Sequence, residues 1–196
     1  MVAISIGYES SQLLFFAMNT SPDYTRFPRV QMGRRAVAFG IDFLGVWLLS
    51  SLLGGRPRFS WAQVFVFLLA WYGMRVLLVY RNQGQSFGRW TLDMKLLDVE
   101  AGTVPDLLTL VKRESIAGSC TMLAAIALSN FLMNAGSILL LVPLALDCGI
   151  ALADSTRHQA GHDLIARTII ASSLRGYSLD IKVSRFLAQV RQRVVK

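Results

Sequence analysis

Charged residues are scarce in this chain, and their scarcity is the first guide to its class. Only 16% of its 196 residues are Asp, Glu, Lys or Arg, whereas soluble domains carry about 25%. A soluble helical protein needs polar residues along the outer face of each helix, and long stretches here have almost none. The composition therefore excludes an ordinary soluble domain and predicts an all-α integral membrane protein.

Cysteine, histidine and catalytic motifs are equally sparse. Cys120 and Cys148 both fall in apolar stretches, which predicts small buried side chains rather than a disulfide. His158 and His162 are the two histidines of the chain, too few ligands for a zinc site. The sequence contains no Ser-His-Asp pattern and no complete phosphate-binding loop. We therefore predict no enzymatic activity, no cofactor and no bound metal.

Long apolar stretches predict a four-helix transmembrane bundle, because 18 or more uncharged residues are typical of a spanning helix. The stretch 115–153 is too long for one helix across about 30 Å of hydrocarbon. Asn130 and Asn134 lie near its midpoint, where we divide it. The predicted spans are residues 36–53, 59–80, 115–133 and 136–153.

Basic residues orient these spans. They lie before the first span, in the loop 81–114 and after the last span, whereas the turn between the third and fourth spans has none. By the positive-inside rule, the loop and both termini are cytoplasmic, which requires an even number of spans. Short apolar runs at Leu96–Val99 and Thr168–Ala171 predict two strands that pair as a small cytoplasmic cap.

The segments outside the spans are basic. Residues 1–33 are a predicted N-terminal cytoplasmic segment, with Met18 as an alternative start, and residues 34–171 form the membrane domain. In the tail 172–196, Asp180–Lys196 predicts an amphipathic helix suited to anionic lipid headgroups, or alternatively to a partner protein. The net charge of +8 is explained by cytoplasmic loops, so we expect no nucleic-acid partner.

Three charged residues interrupt the apolar stretches: Asp42, Arg75 and Asp147. Each lies six or seven residues from the predicted cytoplasmic end of its span, which corresponds to a depth of roughly 10 Å. A charge within a span costs about 2.5–3.5 kcal/mol, so such residues usually face a bundle interior and form pairs. We predict that Asp42 pairs with Arg75 and that Asp147 lies beside the pair or across a polar cavity from it, leaving one surplus negative charge.

This charged layer has two interpretations. One is a cation- or proton-responsive site, because two carboxylates that share one arginine favour a raised pKa for one of them. The other is purely structural, with the charges holding the helices together.

Three blocks of residues resemble the RDD family of small bacterial membrane proteins. They are Arg34-Arg35-Ala36 leading to Ile41-Asp42, then Gly84–Arg89 followed by Lys95–Asp98, and His162–Thr168. The resemblance implies that Arg35, Asp42 and Asp163 are the family's characteristic charged residues. It also implies an interfacial ion pair between Arg35 and Asp163. Arg89 stands where the family commonly has Lys.

The resemblance implies transport of ions or small solutes as the activity, in a bacterial cytoplasmic membrane or an internal membrane of similar topology. Four helices make a thin bundle, so we expect a homo-oligomer or a larger membrane complex. The alternative is a non-catalytic accessory or assembly subunit of such a complex.

Overall fold

The part of the chain that the structure describes contains four long helices, two short helices and a two-stranded sheet. The computed structural model describes residues 30–54, 60–154 and 159–173. In chain order the elements are α1 (Met32–Gly54), α2 (Trp61–Arg81), α3 (Phe87–Thr91), β1 (Met94–Asp98), α4 (Leu107–Asn130), α5 (Ala135–Ala153), α6 (Gly161–Ile165) and β2 (Thr168–Ser172). Within α2, Gly73–Leu77 is π-helical, and α5 begins as a 3₁₀ helix over Ala135–Leu141.

Three of the long helices are long and apolar enough to cross a membrane. Within the described ranges these segments are Met32–Leu52, Trp61–Arg81 and Ala135–Ala153. Large apolar side chains such as Leu52, Trp61 and Leu139 are exposed on their outer faces, while arginines and carboxylates are buried inside. A molecule with apolar residues outside and charges inside is suited to lipid rather than to water.

The helix α4 differs from the span predicted at 115–133. It begins at Leu107, because the Asp106 side chain caps its N-terminus by accepting a hydrogen bond from the Thr109 amide. Arg113 and Glu114, expected in a loop, therefore lie inside the helix. Because these charges and many small and polar residues lower its hydropathy, α4 is not among the helices that are apolar enough to cross a membrane.

The apolar core lies where α1, α2 and α4 meet. Phe67 and Trp71 of α2 stack with ring centres 5.9 Å apart, and both are fully buried. They pack with Val46 of α1 and with Ala117 and Ala125 of α4. The small side chains of α4 let its backbone approach its neighbours closely, as is common between helices in membranes.

The predicted two-stranded cap is confirmed as a sheet. The strands β1 and β2 pair antiparallel, with Met94 opposite Ser172 and Asp98 opposite Thr168. Because β1 follows α2 and β2 follows α5, the sheet holds the C-terminal ends of these two helices on the same side of the molecule. His158, the amphipathic helix expected at Asp180–Lys196 and most of the segment 1–33 lie outside the described residues.

Candidate functional site

Buried charged side chains from all four long helices and from α3 and α6 converge in one network. Each of these side chains is at most 9% exposed. The members are Arg35 and Asp42 on α1, Arg75 on α2, Arg89 on α3, Arg113 and Glu114 on α4, Asp147 on α5, and His162 and Asp163 on α6.

Asp42 is held by three hydrogen-bond donors. Its Oδ2 accepts from Arg75 Nη1 at 2.8 Å and from Ser86 Oγ at 2.6 Å, and its Oδ1 accepts from the Gly88 amide at 2.6 Å. The structure thus brings Asp42 and Arg75 together as the sequence indicates. Because all three contacts are donors, the protein itself stabilises Asp42 as an anion, which does not favour Asp42 as a ligand for a cation.

Gly88 allows α3 to lie directly against α1. A Cβ atom at this position would be 2.0 Å from the Ala38 carbonyl oxygen and 3.0 Å from Asp42 Oδ1. Glycine is therefore required for the contact that brings the Gly88 amide to Asp42. This contact gives a physical reason for a glycine in the Gly84–Arg89 block.

Arg75 joins two carboxylates from different helices. In addition to Asp42, it donates from Nε to Glu114 Oε2 at 3.0 Å. Its guanidinium carbon lies 5.1 Å from the centre of the Trp71 ring and 5.4 Å from that of Phe39, positions that favour cation–π attraction. Arg75 belongs to the π-helical segment of α2, a distortion frequently found at functional sites.

Asp147 does not contact the Asp42–Arg75 pair, which rules out the first of the two predicted positions. Asp147 Oδ1 instead accepts the His162 amide hydrogen at 2.9 Å, and Oδ2 is 2.5 Å from His162 Nδ1. The reason is that α6 begins against α5, where a Cβ at Gly161 would be 2.9 Å from Asp147 Oδ1. The second carboxylate on Arg75 is Glu114.

The surplus negative charge of the three-residue layer is compensated by further buried residues. The network contains four arginines, Arg35, Arg75, Arg89 and Arg113. It contains an equal number of carboxylates, Asp42, Glu114, Asp147 and Asp163. With a neutral His162, the formal charges of the network therefore cancel.

Asp163 neutralises arginines from two helices. Its Oδ2 lies 2.7 Å from Arg35 Nη2, and its Oδ1 accepts from Arg113 Nη2 at 2.6 Å and Nε at 2.8 Å. The pair that the family resemblance implies, Arg35 with Asp163, is therefore formed. Burial alone would raise the pKa of Asp163, but the positive charges around it, Arg113 foremost, hold that pKa below its usual range.

The hydrogen bonds of His162 determine its tautomer. Arg113 Nη2 lies 3.0 Å from His162 Nε2, and a guanidinium can only donate, so Nε2 accepts. The ring proton therefore resides on Nδ1 and is donated to Asp147. His162 is engaged on both nitrogens, and among the described residues no group of three or more His, Cys, Asp and Glu side chains could hold a metal ion.

Arg89 is the exception in this paired network. Its Nη1 and Nη2 atoms are buried without a hydrogen-bond partner among the described residues, and Glu114 Oε1, at 3.6 Å from Nη2, is too distant for a hydrogen bond. Burial, followed by repulsion from Arg75 and Arg113, lowers the pKa of Arg89 to about 9. Arg89 is one of the residues that line a cavity of about 470 Å³.

Sequence reasoning missed four members of this network. Arg113 and Glu114 were placed in a loop, although the Asp106–Thr109 capping pattern signals a helix that would contain them. Arg89 is noted there only as a substitute for Lys, and His162 only as one of two histidines and as the first residue of the third block. No pattern along the chain reveals their partners, which come from distant segments.

The apolar helices and the buried charge network together are typical of a helical membrane protein. A family model described as the RDD family matches residues 29–167. The chain therefore belongs to the RDD family, in agreement with the resemblance drawn from its sequence. No curated protein and no solved structure matches it.

Proposed function

We propose that the chain is a four-span membrane protein that binds a small anionic solute at its charge network and moves it across the membrane. The observation that carries this proposal is Arg89, which lines a cavity and whose two terminal nitrogens have no hydrogen-bond partner among the described residues. A network that served only to hold helices together would leave no buried hydrogen-bond donor unsatisfied, because unsatisfied buried donors are costly.

The sign of the solute's charge follows from which side chains can still form hydrogen bonds. Asp42 and Asp163 each accept several hydrogen bonds from protein donors. Arg89, by contrast, has donors to offer. These contacts favour an anion over the cation considered from sequence alone.

The connectivity supports four spans. The strands β1 and β2 pair, so the chain must leave and return to one side of the molecule between them. One crossing in that interval is α5, and an even number of crossings is needed. The helix α4, 24 residues long, corresponds to roughly 36 Å and is the remaining candidate for the second crossing. Basic loops favour the cytoplasm as the side that holds the sheet.

A flux assay in proteoliposomes tests the proposal. Vesicles that contain the protein are expected to release chloride, acetate or octanoate faster than empty vesicles. Arg89→Gln, which removes the free donors, is expected to reduce this flux at least about tenfold. The matched control is Arg167→Gln, because Arg167 forms an exposed pair with Glu100.

Two outcomes would contradict the proposal. Sodium or proton flux without anion flux would show that the sign of the solute is wrong. If the wild-type protein releases none of these ions, or releases anions equally well with Arg89→Gln, transport at this site is refuted.

A second candidate is a non-enzymatic accessory subunit, favoured by the loose packing of α5. Only 17% of its membrane window is buried, against 28% for α1 and 33% for α2. This surface could contact lipid, another copy or a larger complex. Purification in a mild detergent, followed by mass determination, tests this alternative: a stoichiometric partner together with no flux would favour it.

A further inference from the structure

We infer that the cavity beside Arg89 binds an amphiphile whose head carries one negative charge, as a carboxylate or a phosphodiester, and whose body is apolar. The inference names the ligand of the site proposed above, and it depends on binding there but not on translocation.

The cavity is lined by both charged and apolar side chains. Its volume of about 470 Å³ lies within the range of roughly 300–1,000 Å³ typical of ligand pockets. Its polar lining consists of four arginines with one histidine and one carboxylate: Arg35, Arg75, Arg89, Arg113, His162 and Asp163. The walls come from α1 and α5, with the side chains of Met32, Ala36, Phe39, Leu144, Cys148 and Leu152.

Arg89 supplies the donors for the head of the ligand. Arg75 and Arg113 already donate to Asp42, Glu114 and Asp163, whereas Nη1 and Nη2 of Arg89 have no partner among the described residues. Two terminal guanidinium nitrogens match the two oxygens of a carboxylate or phosphodiester in a bidentate arrangement. A lysine at this position would offer a single point charge instead.

The charge of the ligand's head follows from the balance of formal charges in the network. Its four arginines and four carboxylates cancel, so any bound ion adds an uncompensated charge to a buried region. A single negative charge next to Arg89 adds the smallest surplus that an anion can bring, and a second would cost further desolvation free energy. A monoanionic head is therefore favoured over a phosphate monoester.

The body of the ligand follows from the walls. Apolar side chains cannot hydrogen-bond to a hydrated ion, but they gain free energy when they cover hydrocarbon. Both walls belong to helices that are apolar enough to cross a membrane, so the ligand's body can enter between them from the bilayer. A free inorganic anion would leave most of this cavity unfilled.

Binding to the whole protein in phosphatidylcholine nanodiscs tests the inference. Palmitate is the probe with both parts, hexadecanol has the apolar body alone, and inorganic phosphate is an anion alone. We expect palmitate to raise the Tm by several degrees and the other two to leave it unchanged. Arg89→Gln should weaken palmitate binding about tenfold or more, while Arg167→Gln should not.

Two further variants keep the test decisive. Arg89→Lys preserves the charge but removes the bidentate fork, so its affinity should fall between those of wild type and Arg89→Gln. Cys148→Phe fills the apolar part with Arg89 intact and should also weaken palmitate binding. Arg89→Gln leaves the network with one surplus negative charge, so its Tm without ligand is measured as well, and Arg89→Lys remains the decisive variant if Arg89→Gln does not fold.

A second experiment distinguishes whether the ligand is a lipid of the bilayer or a free amphiphile. In nanodiscs of phosphatidylglycerol, native mass spectrometry is expected to retain one anionic lipid per protein if the bilayer supplies the ligand. Palmitate binding in phosphatidylcholine alone identifies a free amphiphile. Either result supports the inference, and the absence of both overturns it.

Other results would overturn it as well. Hexadecanol that binds as tightly as palmitate would show that Arg89 has no role, and so would unchanged palmitate binding in Arg89→Gln. Phosphate that binds as tightly as palmitate would exclude the amphiphile. Binding without flux contradicts only the transport proposal, whereas anion flux without amphiphile binding contradicts only this inference.

Discussion

At Asp163, one carboxylate compensates arginines from two helices. Asp163→Asn would leave Arg35 and Arg113 without their shared anion in a buried region. Removing one partner of a buried pair typically costs about 3–5 kcal/mol, so we expect a loss of this order in the free energy of unfolding. Denaturant unfolding in detergent measures it, with Glu100→Gln in the exposed pair with Arg167 as the control, expected to cost no more than about 1 kcal/mol.

The same carboxylate gives this prediction a pH dependence. The pKa of Asp163 is lower in the folded protein than its usual value, so the unfolded state binds more protons at acid pH. The stabilisation is therefore fully present above about pH 4, the ordinary pKa of Asp, and is lost progressively below it. The Tm of wild type should fall more steeply than that of Asp163→Asn as the pH decreases from 4 to 2. Parallel curves would contradict this assignment.

Residues of the network could be predicted from the sequence only where the neighbouring residues mark them. Asp42 and Arg75 could be found because each is a charge within an apolar stretch, and Arg35 and Asp163 because they lie in recognisable motifs. The partner of Asp147 could not be found in this way. His162 lies in a separate segment, and only the contact between α5 and α6 brings the two together.

At the scale of the elements, α3 depends on a close contact with α1. In Gly88→Ala, the added Cβ would lie 2.0 Å from the Ala38 carbonyl oxygen, so α3 must shift and the hydrogen bond from the Gly88 amide to Asp42 is lost. We expect a destabilisation of about 1–3 kcal/mol, together with weaker ligand binding because Arg89 moves with α3. Thermal unfolding and palmitate binding in nanodiscs measure the two effects.

Gly45→Ala is the matched control for Gly88→Ala. Gly45 lies in α1, and a Cβ there meets no atom within 4 Å. The same substitution should therefore be neutral or stabilising by up to about 1 kcal/mol, because alanine favours helix more than glycine does. If both variants have the same stability, the close contact between α3 and α1 is not required.

The start of α4 illustrates why element boundaries were harder to predict than the elements themselves. A run of apolar residues begins at Ser115, and the charges before it are typical of a loop outside the membrane. Arg113 and Glu114 nevertheless lie in the helix, because Arg75 and Asp163 compensate their charges. Hydropathy considers one segment at a time and cannot include compensation from another helix.

For the whole molecule, the pairing of β1 with β2 predicts where α4 ends. If α4 crosses the membrane, the turn that follows it lies on the side opposite the sheet, whereas the turn after β1 lies on the side of the sheet. Leu132→Cys and Glu100→Cys place a thiol in these two exposed turns, in a background in which Cys120 and Cys148 are replaced by alanine. An impermeant thiol reagent should label Leu132→Cys in intact cells, but Glu100→Cys only after the membrane is permeabilised.

The contrast follows from connectivity, since two paired strands cannot lie on opposite sides of a bilayer. Labelling of both positions under the same condition would mean that α4 returns without crossing, and the four-span topology would then be wrong.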